Sequence, residues 1–401
     1  MVRRVFKAFA YRDFRLMWIG ACTSSIGTWM QTLAQSWLVL ELSKSPFMLG
    51  LDSFLGQIPI FLFSLVGGVV ADRMDRRHLL IVSQFIQLSC AFLLTFLLAT
   101  HSVQIWHILT LSFLVGTAQA FGGPAYQALI PRLVKGEDLQ NAIALNSIQF
   151  NLARVIGPVI GGLTMTKLGA VWCFGLNGLS YIAVIISLLM LHERFTPPEK
   201  RQSMLESMKE GIQFIRQKES MEALIFLAFF MTAFGIPLIN FLPVFAKDVL
   251  KGGADTFSLL LSVSGLGSVA GALFVAGIGN VHNKGRVAIT LLIGLGAMIV
   301  AFSFSTNLYL SCFFLFLSGG MLIASFAMIT SLVQLITADN MRGRVMSVYN
   351  VAFRGGMPFG SLASGQLITM YSAPWVIAGN GALLALLGLW FLLIHRRVTK
   401  L

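Results

Sequence analysis

The stretch Gly68-Val69-Val70-Ala71-Asp72-Arg73-Met74-Asp75-Arg76-Arg77 closes one apolar run, 47–71, and leads into another, 78–99. Each run suffices to cross a bilayer as a helix, which takes about 20 mostly apolar residues. The few residues between them carry two carboxylates and three guanidinium groups. So short and so charged a connection reads as a loop at a membrane surface. Gly68 lets a neighbouring helix approach closely. Asp72 can cap a helix N-terminus, where negative charge is favoured. Arg73, Arg76 and Arg77 can pair with carboxylates or with lipid phosphates at the inner surface.

The same alternation fills the chain. Apolar runs lie near 14–41, 47–71, 78–99, 104–129, 139–166 and 171–191. After a polar stretch from His192 to Ser220 they resume near 222–246, 256–280, 287–304, 308–337, 344–370 and 374–394. The pattern predicts an all-α integral membrane protein with twelve transmembrane helices. Composition points the same way: 56% of the 401 residues are hydrophobic and 11% are charged, against about 25% charged in soluble domains. A single water-soluble core stops growing near roughly 250–300 residues, so lipid is the expected solvent for most of this surface.

Loop charges orient the map. The N-terminal arm and the stretches after spans 2, 4, 6, 8, 10 and 12 hold 23 of the 29 Lys and Arg. The opposite set holds Lys44, Lys167, Lys247 and Lys251, and Arg154 and Arg354 lie inside spans. The positive-inside rule then puts both termini and the central linker in the cytoplasm. An odd number of spans would destroy that asymmetry. The net charge of +13 thus follows topology, and no nucleic-acid recognition motif accompanies it. The run from Phe14 to Leu40 exceeds the roughly 7–15 residues of a signal-peptide core and lacks a convincing A-x-A site, so it is expected to remain as the first span. Cys22, Cys90, Cys173 and Cys312 each lie in an apolar run with no C-x-x-C pair. They read as small buried hydrophobes, not as disulfides or zinc ligands.

The polar stretch carries Thr196-Pro197-Pro198-Glu199, then Ser203–Lys218, where Met204, Leu205, Met208, Ile212 and Ile215 fall at helical spacing. An amphipathic helix at the inner membrane surface is expected there. It divides the chain into a six-helix bundle over 1–191, a cytoplasmic linker over 192–220 and a second six-helix bundle over 221–401. The halves share a repeat. Ser147, Arg154 and Pro158 recur as Ser347, Arg354 and Pro358, each offset by 200, and Asn151 recurs as Asn350, one register apart. Such parallel repeats are a building principle of transporter folds.

At the opening stretch the chain resembles the major facilitator superfamily, whose signature in this loop is G-x-x-x-D-R-x-G-R-R. Gly68, Asp72, Arg73, Arg76 and Arg77 match it, and Asp75 stands where the family usually has Gly. The resemblance implies two pseudo-symmetric six-helix bundles, and a loop that latches the cytoplasmic ends of the two halves when the pocket faces outward. Asp75 could pair with Arg342 or Arg344 in the corresponding loop of the second half. The loop after span 8, Gly277 to Arg286, is degenerate, which makes the latch asymmetric. In the fifth span, Arg154-Val155-Ile156-Gly157-Pro158-Val159-Ile160-Gly161-Gly162 is similar to the G-P-x-x-G-G core of the exporter-associated motif. Ala144 and Ala153 replace two of its upstream glycines. Gly157, Gly161 and Gly162 permit tight packing and Pro158 bends the helix, which suits a hinge or seal. Ile26-Gly27-Thr28-Trp29-Met30-Gln31, Trp37–Leu42 with Ser45-Pro46, and Asp339 with Arg342-Gly343-Arg344-Val345-Met346-Ser347 resemble the bacterial branch of enterobactin exporters and macrolide-efflux pumps. That branch implies residence in the bacterial cytoplasmic membrane.

Charges inside a membrane are costly and mark function. Arg154 and Arg354, each about ten residues into a span, can face a central cavity from matching positions and take an anionic group, or reach backbone carbonyls near the inner edge. Asp52 lies 20 residues before Asp72, about 30 Å of helix, in the outer part of the membrane. There it is either a proton-exchanging group or an edge carboxylate, and Glu41 ends span 1 on the same side. The superfamily's fourth-span Arg, tied to proton coupling, is replaced by Ser112 and Phe113. By resemblance spans 1, 4, 7 and 10 line the pathway. This favours Gln31, Gln119, Asn240 and Gln334 as cavity residues, with Asn151 beside them and Gln35, Gln57 and Asn146 as further candidates. Phe121, Phe230, Phe234 and Phe326 can supply apolar contact.

No H-E-x-x-H or G-x-S-x-G context appears, the six His lie at span ends, and there is no P-loop, which argues against an enzyme and against ATP as the direct energy source. No metal or cofactor is expected. The expectation is a proton-coupled exporter (an antiporter) of amphipathic small molecules, of drug or siderophore type, working by alternating access as a monomer in the lipid bilayer. The alternatives are a lysophospholipid flippase of the same fold or an uncoupled channel.

Overall fold

A computed structural model describes residues 6–192, 204–279, 283–394 and 398–399, apart from the side chains of Leu65, Val69, Asp72 and residues 204–207. Arg3, Arg4, the 194–201 segment, Arg396, Arg397, Lys400 and the carboxylate of Asp72 therefore lie outside the described parts. Twelve helices of 20 residues or more occur among the described residues, and no strand. They are α1 (Arg12–Ser43), α2 (Pro46–Arg73), α3 (Arg76–Ala99), α4 (Ile105–Leu129), α5 (Leu139–Leu168) and α6 (Ala170–Leu189), then α7 (Glu219–Asn240), α8 (Ala254–Ile278), α9 (Lys284–Ser303), α10 (Leu308–Ile336), α11 (Arg342–Met370) and α12 (Ala373–Leu393). The linker holds a further helix, Met204–Arg216.

Ten of the twelve are long and apolar enough to cross a membrane. The other two are α1 and α11, of 32 and 29 residues. Their length suffices, but Thr28, Gln31 and Gln35 in α1 and Asn350 and Arg354 in α11 dilute the apolar run. Helix ends fall within a few residues of the apolar runs, because charged or Gly/Pro-containing loops stop each one. The largest departure is at α7. It stops at Asn240, then a short turn at Leu242–Val244 and a π-helical turn at Phe245–Val249 carry the chain on. Pro243 lacks the N–H that a continuous ladder needs.

The chain forms two compact units, Met1–Ser43 with Leu55–Arg201, and Lys44–Phe54 with Gln202–Leu401. In the first, α1 packs on α5 and α6, and α3 packs on α4 and α6. In the second, α7 packs on α11, α9 on α10 and α12, and α8 on α10. The repeat thus recurs as repeated helix pairings. Bare backbone meets bare backbone at equivalent points. A Cβ on Gly116 of α4 would lie 2.3 Å from the Gly56 carbonyl of α2, and one on Gly319 of α10 would lie 2.2 Å from the Ser264 carbonyl of α8.

In the first unit a buried cluster of Phe14, Met17, Leu80, Leu129, Leu145 and Leu188 gathers residues near the ends of five helices beside the α2–α3 loop. The N-terminal turn Lys7–Ala10 closes over the start of α5. The Ala8 amide donates to Asn141 Oδ1 (2.9 Å), the Tyr11 hydroxyl donates to Asp138 (3.0 Å), and Lys7 pairs with Asp138 (3.6 Å). Desolvation, reinforced by Asp138, raises the Tyr11 pKa, so the phenol remains a donor at neutral pH.

Candidate functional site

The α2–α3 loop is built differently from its sequence expectation. Gly68 has nothing within 4 Å of an added Cβ, whereas a Cβ on Gly67 would lie 2.2 Å from the Ala120 carbonyl. Gly67, not Gly68, is the point of close approach among the described residues, because it lies on the face of α2 turned to α4. The N-cap of α3 is Asp75, not Asp72. Its carboxylate accepts from the amides of Arg77 (2.8 Å) and His78 (3.4 Å). Asp72 sits in the last turn of α2, where the helix dipole opposes a negative charge.

Arg76 donates to the carbonyls of Ala71 and Ala128 (both 3.2 Å), and Arg77 to those of Leu189 (2.6 Å) and Leu191 (3.2 Å). These acceptors lie at or just beyond the C-terminal turns of α2, α4 and α6, which leave carbonyls without helical partners. The two guanidinium groups thus clamp three helix ends, a use that local sequence could not show. Arg73 is exposed. In the second unit, Arg342 pairs with Asp339 (2.5 Å) and Arg344 with Glu210 of the linker helix. A Cβ on Gly211 would lie 2.8 Å from the Arg344 carbonyl, and Lys218 Nζ donates to the Ile336 carbonyl (3.1 Å). The linker helix therefore docks on the start of α11 rather than serving only as a connector.

Along α5, every fourth residue faces α1. Gln149 donates to the Ala21 carbonyl (3.1 Å) and to Ser25 (2.7 Å), and Trp18 of α1 donates to the Leu145 carbonyl (2.9 Å). A Cβ on Gly157 would sit 2.5 Å from Trp29 Cβ, and one on Gly161 would sit 3.0 Å from Met30 Cα. Pro158 and Gly162 are buried beside them. In the second unit Gly356 and Gly360 of α11 meet α7 in the same way. A Cβ there would lie 2.2 Å from the Phe229 carbonyl and 2.0 Å from the Ala233 carbonyl.

This equivalence corrects the expectation that Arg154 and Arg354 occupy matching positions. The contact glycines repeat at an offset of 199, like Asn151 and Asn350, whereas the arginines repeat at 200. Arg154 stands three residues before its contact glycine, about 60° round the helix from it; Arg354 stands two before, about 160° away. Arg154 is accordingly 9% exposed, with its guanidinium carbon 5.6 Å from the Trp29 ring centre. Arg354 is exposed, and the α7 residue in the place of Trp29 is Thr232, whose hydroxyl donates to the Phe353 carbonyl (2.8 Å).

The polar side chains of α1 form a network. Asn177 donates to Gln31 (2.6 Å), Gln31 lies 3.4 Å from Gln35, and Gln35 donates to Ser112 (2.9 Å). Tyr181 lies within reach of Thr28 (3.3 Å) and Asn177 (3.4 Å). Ser112 thus joins a glutamine network at the position where the resemblance calls for an arginine. Asn177 and Tyr181 were not singled out from sequence, since they lie in an apolar run 146 and more residues from their partners. Gln119 reaches Gln87 (3.4 Å), Asn146 accepts from Tyr126 (2.6 Å), and Asn151 turns its amide onto its own helix at Ser147 (2.8 Å). Gln334 is exposed near the end of α10.

In the second unit Asn240 is committed to helix joining. Its amide donates to Ser53 of α2 (2.9 Å) and Ser361 of α11 (2.7 Å). Gly50 comes equally close: its Cβ would lie 2.6 Å from the Ser361 carbonyl and 3.2 Å from Gly365 Cα. Asp52, within a turn of both Gly50 and Ser53, is buried, 7% exposed. Glu41 accepts from Trp37 (2.7 Å). Phe226, Phe230 and Phe234 stack along α7, and Phe326 packs on Phe353 at 4.4 Å. The described residues hold no cluster of three or more His, Cys, Asp or Glu suited to a metal.

The profile of a family described as transmembrane secretion effector matches residues 4–400. A staphyloferrin A transporter of Staphylococcus aureus is 25% identical over 350 residues, covering 84% of this chain and 85% of the relative. An enterobactin exporter of Shigella boydii is 24% identical over 389 residues, covering 95% and 91%. Among solved structures, a POT family transporter in complex with 5-aminolevulinic acid superposes with a TM-score of 0.77 at 12% identity, covering 97% of each chain. A nucleoside transporter, NupG, superposes with a TM-score of 0.72 at 16% identity, covering 95% and 98%.

Proposed function

Because the chain belongs to the transmembrane secretion effector family of major facilitator transporters, we propose that it is a proton-coupled exporter of amphipathic small molecules. It works by alternating access as a monomer in the bacterial cytoplasmic membrane, with both termini in the cytoplasm and its functional halves at 1–191 and 221–401. The observation that carries export is the fifth helix. Gly157 and Gly161 seat α5 directly on the backbone of α1 around Pro158, the close, pliable contact that the exporter-associated motif requires. The siderophore names of the two relatives support a cargo of that general size and amphipathic character. The buried Asp52 beside the Asn240 junction is the proposed proton site, as a carboxyl group enclosed within a membrane-spanning helix. The Asp72–Arg77 loop is the proposed latch, with Arg76 and Arg77 holding its geometry and Asp72 its signal.

The test is efflux of ethidium or Hoechst dye from proteoliposomes under an imposed proton gradient, beside Asp52→Asn. Export that follows the gradient and is lost in Asp52→Asn is the expected result. Export that persists unchanged without a gradient would sink proton coupling. Movement of a fluorescent lysophospholipid in place of the dyes would turn the reading to lipid flipping.

A further inference from the structure

Arg154 is a buried cation whose side chain has no hydrogen bond or ion pair among the described residues. Its one contact of that kind is the Trp29 ring, at a distance near the outer limit of about 6 Å for a cation–π pair. A guanidinium cannot escape the cost of burial by losing its proton at neutral pH. Removing such an ion from water costs more than a ring face at that distance returns, so the site is short of an anion. Its surroundings describe what kind. Phe150, 53% exposed, stands edge-on to Trp29 at 6.4 Å, and both lie within a turn of Arg154 or over it. Asn151, three residues back on the same helix, has turned its amide onto Ser147, leaving its Oδ1 to accept a hydroxyl. With one side of the guanidinium toward an indole, its forked N–H edge is the remaining way to satisfy it, and that fork matches a two-oxygen planar anion.

Resting on the exporter reading above, we propose that Arg154, with Trp29 and Phe150, recognises an organic carboxylate borne on an aromatic or flat apolar body, so that the cargo is an organic anion. The carboxylate takes the guanidinium edge and the flat body lies along the two rings. The second unit offers no counterpart, since Thr232 stands in the place of Trp29 and Arg354 has turned away. The recognition is therefore one-sided, and a cargo binds in one orientation.

The experiment uses tritiated 2-naphthoate and the full chain in phosphatidylcholine nanodiscs, read by scintillation proximity. The wild type should bind naphthoate, and methyl 2-naphthoate should fail to displace it. Arg154→Gln should weaken binding by at least about tenfold, Arg154→Lys should fall between, and the exposed loop variant Lys44→Gln should match wild type. Arg154→Gln should also unfold at the same or a higher temperature, because it removes an uncompensated charge. No naphthoate binding by the wild type, equal binding by Arg154→Gln, or equal competition by the ester would overturn the proposal. So would a lowered unfolding temperature in Arg154→Gln together with wild-type affinity in Arg154→Lys, which would make the charge structural. Repeating the assay with phosphatidylglycerol in the discs separates cargo from headgroup. If that lipid abolishes naphthoate binding through Arg154, the site belongs to lipid phosphate and the cargo proposal falls. Efflux of naphthoate and of dye from proteoliposomes of the same purified protein keeps the two ideas apart. Gradient-driven dye efflux without naphthoate binding defeats this site alone, while naphthoate binding with no gradient-driven export of naphthoate or of dye defeats the exporter reading alone.

Discussion

Gly67 presents its bare Cα to the α4 backbone, 2.2 Å from the Ala120 carbonyl for an added Cβ, while its neighbour Gly68 meets nothing within 4 Å. Gly67 and Gly68 are chemically identical, and motif resemblance singles out Gly68, yet only Gly67 faces the α4 backbone. Gly67→Ala should cost about 1–3 kcal/mol by forcing α2 and α4 apart, while Gly68→Ala should stay within about 0.5 kcal/mol of wild type. Thermal unfolding of the two purified variants decides this, and equal losses would refute the assignment. The arginine pair teaches a complementary lesson. Arg154 and Arg354 were legible as a repeat, but their unequal burial was not, because burial depends on distance from a contact glycine that only the packed helices identify. The slip was present in the sequence, in the Asn151–Asn350 spacing, without a frame to interpret it. Arg77→Ala should remove two charge-assisted bonds to helix ends, each worth about 1.5–3 kcal/mol. The unfolding temperature should therefore fall even where transport is not assayed.

At the scale of helices the sequence was most readable, since apolar runs end where charge, Gly or Pro makes continued burial expensive. Thus α3 and α10 begin within two residues of their expected starts, and the one large departure, at Asn240, has a proline as its cause. Partner choice was less readable. The linker helix was legible as amphipathic, but its docking on α11 depends on a bare Gly211 that no periodicity reports. Gly211→Val should push it off the Arg344 carbonyl and speed protease cleavage of the linker in the intact protein. Unchanged cleavage would mean the helix is held elsewhere. Helix α2 belongs to both units, its first turns to the second unit and the rest to the first. If turnover requires α2 to close on α11, Gly50→Val, whose Cβ would meet the Ser361 carbonyl, should hold the two helices apart and lower gradient-driven efflux. Unchanged efflux would rule out a role for this contact in turnover.

For the whole molecule, charge asymmetry is the strongest statement about orientation. A single cysteine at Lys251 should react with an impermeant maleimide added outside intact cells, and one at Lys209 should not. The reverse pattern would invert the topology and with it the direction of export. Cargo identity lies at this scale too, and sequence was silent on it because the polar network of α1 forms only when residues from α4 and α6 are brought to it. One further consequence follows from the arginine clamp. The acceptors of Arg77 lie 112 and 114 residues later in the chain. At a synthesis rate of about 5–20 residues per second, the α2–α3 loop must wait roughly 6–23 s for them to emerge. The first bundle is therefore locked from its last helix backwards. During that interval the Arg77 guanidinium has no helix end to hold, which makes the synthesis of α6 the step that completes the clamp.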